Sequence, residues 1–162
     1  MGHAGRHRRL LSVNVRTVNS KDAGVWGAMR ARLWPEFSAD DLAREAKAFI
    51  EGESGTLIAA AFIAEDDDKQ PLGFLEMGVR AFSDGCDSMP IPHVEGWYVE
   101  PFARRCGVGR RLLNAAEEWA RTKQFTEIAS DTEIHNEMSL HAHLSTGFEE
   151  VERLIKFRKQ LA

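Results

Sequence analysis

The run RRCGVGRR at Arg104–Arg111 sets four arginines around two glycines, a composition suited to holding an anion. Glycine lets the backbone approach a ligand closely, and a helix beginning there offers N–H groups without intrahelical partners at the positive end of its dipole. A phosphate is the anion such a turn holds best. Elsewhere the promising residues are acids. Glu95 in HVEGWYVEP, Asp131 in EIASDTE and Glu152 in GFEEVE stand in or beside runs that otherwise read as strands. A carboxylate so placed can grip a cationic group or take a proton from it. An edge-strand acid at Glu95, a capping residue at Asp131 and a surface acid at Glu152 are the plain alternatives.

His143, in HNEMSLHAHLSTGF, either packs within a helix or donates a proton. His135 and His141 have no partners at metal-ligand spacing, and no metal is expected. Cys86 and Cys106 are the only cysteines; with no C-x-x-C pair and no signal peptide they read as free thiols of a cytoplasmic protein. Cys106 occupies a variable position of the arginine–glycine turn, which argues against a nucleophile.

These residues need elements to hold them. At 162 residues and 43% apolar content the chain has material for one domain with a core, and no run of about 18 apolar residues exists to span a membrane. Met1–Arg9 reads as a disordered leader or expression remnant, leaving 10–162 as the domain. Residues 1–16 hold four arginines and no acid, so removing them from the formal charge of −4 leaves −8 for the body. Such a surface disfavours nucleic acid and favours a cationic partner.

VNVRTV alternates as a first strand, and Asp22–Trp34 follows as a helix that Asp22 can cap and Pro35 ends. Ser38 caps a second helix, Ala39–Glu51, with Gly52 beyond its end. TLIAAAFIAE and PLGFLEMGVR, split by DDDKQ, form a hairpin. HVEGWYV is the next strand, whose alternation places His93, Glu95, Trp97 and Val99 on one face and Val94, Gly96, Tyr98 and Glu100 on the other. Gly96 marks a bulge or the close approach of a ligand. Val108–Lys123 is an amphipathic helix, TEIASD a fifth strand, Asn136–Ser145 a last helix, and FEEVERLIKFRKQ one or two closing strands. Periodicity alone supports one domain, α/β or α+β.

Arg104-x-x-Gly107-x-Gly109 is neither the G-x-G-x-x-G of dinucleotide folds nor a P-loop. It resembles the acyl-CoA signature of the GCN5-related N-acetyltransferases (GNAT). HNEMSLHAHLSTGF resembles that family's second signature at Asn136, Ser139, Gly147 and Phe148, with His143 where the family has tyrosine. The resemblance implies an α/β (α+β) fold: a mixed central sheet with splayed strands 4 and 5 and helices on both faces. It also implies acetyl-CoA as co-substrate. The cofactor would meet Trp97, Tyr98 and Val99 along the splayed strand, Arg104, Arg105, Cys106, Gly107, Val108, Gly109 and Arg110 in the turn, and Asn136.

RLWP, DGCDSMP, EGWYVEP, ASDTEIHN and GFEEVE resemble, more narrowly, the aminoglycoside 6'-N-acetyltransferases, and the likeness runs from Val13 to Leu161. It implies acetyl transfer to the 6'-amine of a cationic aminoglycoside by direct attack in a ternary complex, and a homodimer. Glu95, Asp131 and His143 become the catalytic candidates, and Trp34, Phe82, Glu95, Asp131 and Glu152 the substrate-binding ones. Phe82 replaces the family's usual tyrosine, keeping stacking without the hydroxyl, and Trp34 also fits a residue that seals the core. The rival readings are an acetyltransferase for another amine (a polyamine, an amino sugar or a peptide N-terminus) and a non-catalytic acyl-CoA sensor.

Overall fold

The computed structural model describes residues 12–53 and 55–161; the leader expected over residues 1–9 lies outside them. Its elements run β1 (Asn14–Thr17), α1 (Ala23–Leu33), α2 (Ala39–Ile50), β2 (Ala60–Glu65), β3 (Pro71–Arg80), β4 (Ile91–Val99), a 3-10 turn (Pro101–Ala103), α3 (Val108–Thr122), β5 (Ala129–Ser130) and α4 (Glu137–Thr146). The strands lie in sequence order in one sheet. All neighbours are antiparallel except β4 and β5, which are parallel.

Each sheet face has its own core. Val108, Leu112, Leu113 and Ala116 form the apolar stripe of α3 and bury against Phe62, Leu72, Leu75, Met77 and Val94. Each large side chain so buried contributes roughly 1.5–3 kcal/mol. Trp26 and Met29 of α1 and Ala46 of α2 cover Ile63, Phe74 and Tyr98 on the other face. Ser38 caps α2 as its sequence suggests, its side chain accepting from the Asp41 N–H at 3.4 Å. Asp22 does not cap α1 with its side chain. Arg16 holds that carboxylate with two bonds, at 2.7 and 2.9 Å, and the Asn19 N–H bonds it at 2.7 Å.

Three further expectations are corrected. β5 is only two residues long, and β4 pairs with it through His93↔Ala129 and Val94↔Ser130 alone. Beyond Val94 the two strands part, which is the splay the fold requires. The register between β3 and β4 jumps from Glu76↔Gly96 to Met77↔Val94, so Glu95 is the extra residue of a β-bulge. A bulge inverts the alternation past it. Val94, Trp97 and Val99 therefore share the α3 face, while Tyr98 packs under α1 and Gly96 meets the Trp34 ring. Finally, the closing strands are not formed: residues 149–161 carry no regular structure. β5 is the sheet edge and too short to offer them a ladder, so Val151, Leu154, Ile155, Phe157 and Leu161 stay exposed.

Candidate active site

The arginine–glycine turn closes as its composition suggests. After the 3-10 turn the chain passes through Arg105 at φ +59° and Gly107 at φ +82°, the left-handed region where glycine is at ease. Gly107 stands at the N-cap of α3. The first intrahelical bond runs from the Arg111 N–H to the Gly107 carbonyl at 3.1 Å, so the N–H groups of Val108, Gly109 and Arg110 precede the helical ladder. They are the donors a phosphate would meet. A Cβ at Gly109 would lie 3.3 Å from the Trp97 ring, so glycine there lets α3 settle onto β4. Arg104 Nε donates to the Val99 carbonyl at 3.0 Å, which ties the turn to the splayed strand. The other arginines are partly structural: Arg110 bonds the Ser145 carbonyl at the end of α4, and Arg111 reaches the Val13 carbonyl at 3.5 Å. Cys106 donates to the Arg104 carbonyl at 3.4 Å.

Asn136 caps α4 by accepting from the Ser139 N–H at 3.0 Å. That turns the helix so that His143 lies half-buried against Trp97 and Phe148, with ring centroids 5.3 and 5.0 Å away. His143 Nδ1 is 2.7 Å from the Ser139 carbonyl, which can only accept, so Nδ1 carries the proton. Nε2 then accepts from Ser130 Oγ at 2.7 Å. His143 thereby joins α4, β5 and the face of Trp97.

Across the splay stand the acids. The bulge turns Glu95 toward Arg80, whose Nε and Nη2 bond the two carboxylate oxygens at 2.8 and 2.7 Å. Arg80 Nη1 bonds Asp131 Oδ2 at 3.1 Å. Beneath them His93, fully buried, brings Nδ1 to 3.5 Å from Glu95 and Nε2 to 3.5 Å from Asp131. The His93 hydrogen bond, with Arg80 beside it, holds the Asp131 carboxyl well below the usual carboxylate range. Glu95 and Asp131 thus meet across the splay. Asp131, Glu152 and His143 line a cavity of about 520 Å³ between β5, α4 and the C-terminal segment.

Trp34 follows α1 and lies over Gly96, beside the bulge; a Cβ on that glycine would stand 2.7 Å from its ring. Both roles expected of Trp34 are therefore compatible, since its ring packs on Phe74 at 6.3 Å and reaches the site's edge. Phe82 is exposed in the loop after β3. The Tyr98 ring is buried away from α3 and donates to Glu100 at 3.1 Å, so only its backbone faces the splay. Sequence reasoning missed Arg80 and the bridging position of His93. Arg80 shares its face of β3 with Glu76 by simple alternation, but only the register of β3 against β4 brings it to Glu95.

A glycine-capped anion turn, a splayed β4–β5 pair and acids across the gap are the framework of an acyl-CoA-dependent N-acetyltransferase. The chain belongs to the acetyltransferase (GNAT) family, whose model matches residues 26–148. Among its relatives, an aminoglycoside N(6')-acetyltransferase type 1 of Klebsiella aerogenes is 43% identical over 147 residues, 91% of this chain and 96% of the relative. One from Stenotrophomonas maltophilia is 36% identical over 91% of this chain and 93% of its own. Among solved structures, aminoglycoside N-acetyltransferase AAC(6')-Iy in complex with CoA superimposes with a TM-score of 0.84 at 32% identity, covering 95% of this chain and 99% of that one. The same enzyme in complex with the bisubstrate analogue CoA-S-monomethyl-acetylneamine gives a TM-score of 0.83 at 32% identity over 93% and 99%.

Proposed function

We propose that this acetyl-CoA-dependent N-acetyltransferase acts on aminoglycosides, moving the acetyl group to the 6'-amine by direct attack in a ternary complex and so conferring antibiotic resistance. The observation that carries this is the bridging of Glu95 and Asp131 at the splay, next to the Trp34 ring on Gly96 and on the strand that leads into the anion turn. The N–H groups of Val108, Gly109 and Arg110 bind the pyrophosphate, with the charge of Arg104 and Arg105 near. Backbone groups of Trp97, Tyr98 and Val99 line the arm and donate to the thioester oxygen as charge gathers there. Glu95 takes the proton of the attacking amine as the N–C bond forms and the C–S bond breaks, and the thiolate leaves to be protonated. His143, its Nδ1–H held by the Ser139 carbonyl and its Nε2 accepting from Ser130, orients Trp97 and has no proton to give in that state, so the thiolate takes its proton from water.

Asp131 and Glu152 hold further ammonium groups of the polycation, and Trp34 and Phe82 give its rings apolar surfaces. Two cysteines that form no disulfide and dependence on acetyl-CoA fit a cytoplasmic enzyme, and no helix among the described residues is long and apolar enough to cross a membrane. The apolar side chains exposed along residues 151–161 support a homodimer, in which a second copy covers them.

Tobramycin incubated with acetyl-CoA should release free CoA thiol and gain one acetyl group at the 6'-nitrogen, located by mass spectrometry and NMR. An analogue with a 6'-hydroxyl should gain none at that position. Acetylation on the 2-deoxystreptamine ring would overturn the regiochemistry, and transfer only to polyamines or peptides would overturn the substrate class. Light scattering at micromolar concentration should give about twice the 18.2 kDa of one chain.

A further inference from the structure

The acids that would receive the acceptor already hold a cation belonging to the chain. Arg80 places its guanidinium fork on both oxygens of Glu95, at 2.8 and 2.7 Å, and its third nitrogen on Asp131 at 3.1 Å. Charge-assisted, bidentate bonds of this kind are the strong ones. The fork takes one acceptor position on each Glu95 oxygen and neutralises its charge, so an incoming ammonium competes with Arg80 for that carboxylate. Glu95 grips an acceptor's ammonium at full strength only when Arg80 has moved.

The surroundings let Arg80 move and keep its partners in place. Its side chain is 41% exposed, Glu95 28% and Asp131 63%. The fully buried ring of His93 underlies both acids. Arg80 ends β3 and opens into the loop that carries Phe82, so its side chain has solvent on its outer side. The cluster's charged and titratable members are Arg80 from β3, His93 and Glu95 from β4 and Asp131 from the end of β5.

We propose that Arg80 is an internal counter-cation occupying the acceptor's ammonium site, and that its displacement makes the enzyme selective for acceptors with several ammonium groups. The inference rests on the reading above that Glu95 and Asp131 bind the acceptor. One ammonium arriving at Glu95 replaces one cation by another and gives up a bidentate fork for a point charge. Two or more ammonium groups on one molecule reach Glu95 and Asp131 together, and the second contact costs little once the first is made. Arg80 therefore acts chiefly against monoamines, discrimination by a competing contact rather than by added affinity.

The test compares wild type with Arg80→Ala, Arg80→Gln and Arg80→Lys on tobramycin and on the monoamine 6-amino-6-deoxyglucose. The ratio of their kcat/KM values should fall roughly two- to fivefold in Arg80→Ala and Arg80→Gln, the range of an exposed ion pair, through a gain for the monoamine. Arg80→Lys keeps a cation without the fork and should fall between. In the wild-type protein the Arg80 Nε–H NMR signal, assigned by its loss in Arg80→Lys, should move to the position of a solvated arginine as tobramycin saturates the site. An unchanged ratio, an equal loss for both acceptors, or an Nε–H signal unmoved at saturation in an enzyme that acetylates tobramycin overturns the displacement and leaves the acetyltransferase reading standing. A wild-type enzyme that acetylates neither acceptor overturns that reading and the proposal with it.

Discussion

Glu76 and Arg80 project from the same face of β3, about 13 Å apart along the strand. Glu76 lies under the α1–α2 layer, and Arg80 stands where that layer no longer covers the sheet. Each belongs to an arginine–carboxylate cluster. In the first, Arg30 bonds Glu76 at 3.2 Å, Glu45 at 2.7 Å and the Leu42 carbonyl at 2.8 Å, with its guanidinium 5.7 and 5.2 Å from the rings of Trp26 and Trp34. The side chains of Arg30 and Glu76 are 4% and 2% exposed. In the second, Arg80 grips Glu95 and Asp131 in partial contact with water. The ions are alike, and hydration separates their roles: a buried pair cannot part without stranding a charge, whereas a hydrated pair can exchange partners. Trp34 touches both regions, covering Arg30 on one side and Gly96, next to Glu95, on the other.

The largest expected effect breaks the buried cluster. Arg30→Ala leaves Glu76 without its partner and opens space between two tryptophans, and should cost about 3–5 kcal/mol of stability, measured by urea denaturation. Replacing both members, Arg30→Met with Glu76→Met, should recover most of that loss because no charge is stranded. A loss under about 1 kcal/mol in Arg30→Ala would mean that the two clusters do not differ in kind.

In the exposed cluster the effect should move from stability to rate. Glu95→Gln keeps shape and hydrogen bonding but loses charge and basicity, so kcat/KM for tobramycin should fall about 10²-fold while the urea midpoint stays close to wild type. A near-normal rate would leave Glu95 a bystander. A large loss of stability would make it a second structural pair.

The buried framework was more legible in the sequence than the exposed site, and for a physical reason. The apolar stripe of α3, the Ser38 cap and the Arg104–Gly109 turn depend on neighbours a few residues away, so local spacing reveals them. The bulge at Glu95 depends on register against β3, and it reversed the faces expected for Trp97 and Val99. Arg80 meets Glu95 fifteen residues and Asp131 fifty-one residues along the chain, a meeting no local pattern encodes. The closing strands failed likewise: alternation in VERLIKF describes a segment able to pair, but pairing needs a partner that the two-residue β5 does not provide. Glu95 and Asp131 stood out as acids in or beside strands, and only resemblance grouped them with Trp34 in one expected site, because resemblance carries non-local geometry that spacing lacks.

A smaller effect sharpens the contrast through pH. Burial pushes the Glu76 carboxyl up to about 7 from 4.5, although Arg30 pulls it down. Between those values the folded state binds more protons than the unfolded chain, so this group's contribution to stability is greatest at low pH and declines as pH rises through the window. Asp131 is shifted the other way, by His93 and Arg80; its contribution is present above the ordinary aspartate range and fades only in strong acid. The stability difference between wild type and Glu76→Gln, from urea titrations at pH 5 and pH 7, should move against wild type at the higher pH. A difference that is flat or moves the other way would show that Arg30 outweighs desolvation and that Glu76 is ionised throughout.

The smallest effect tests the hydrated cluster where the proposal is most exposed. Removing the Arg80 side chain leaves two acids, yet Glu95 and Asp131 both reach water and can be hydrated in its place, and His93 remains beneath them. The net worth of such a pair is about 0–1 kcal/mol after screening and side-chain entropy, so Arg80→Ala should shift the free energy of unfolding by no more than that. Raising the salt concentration should shrink the difference further, because the Debye length falls from about 10 Å at 0.1 M to about 3 Å at 1 M. A salt-insensitive loss approaching that of Arg30→Ala would place Arg80 among the buried structural ions, with a pair too strongly held to yield to an incoming amine.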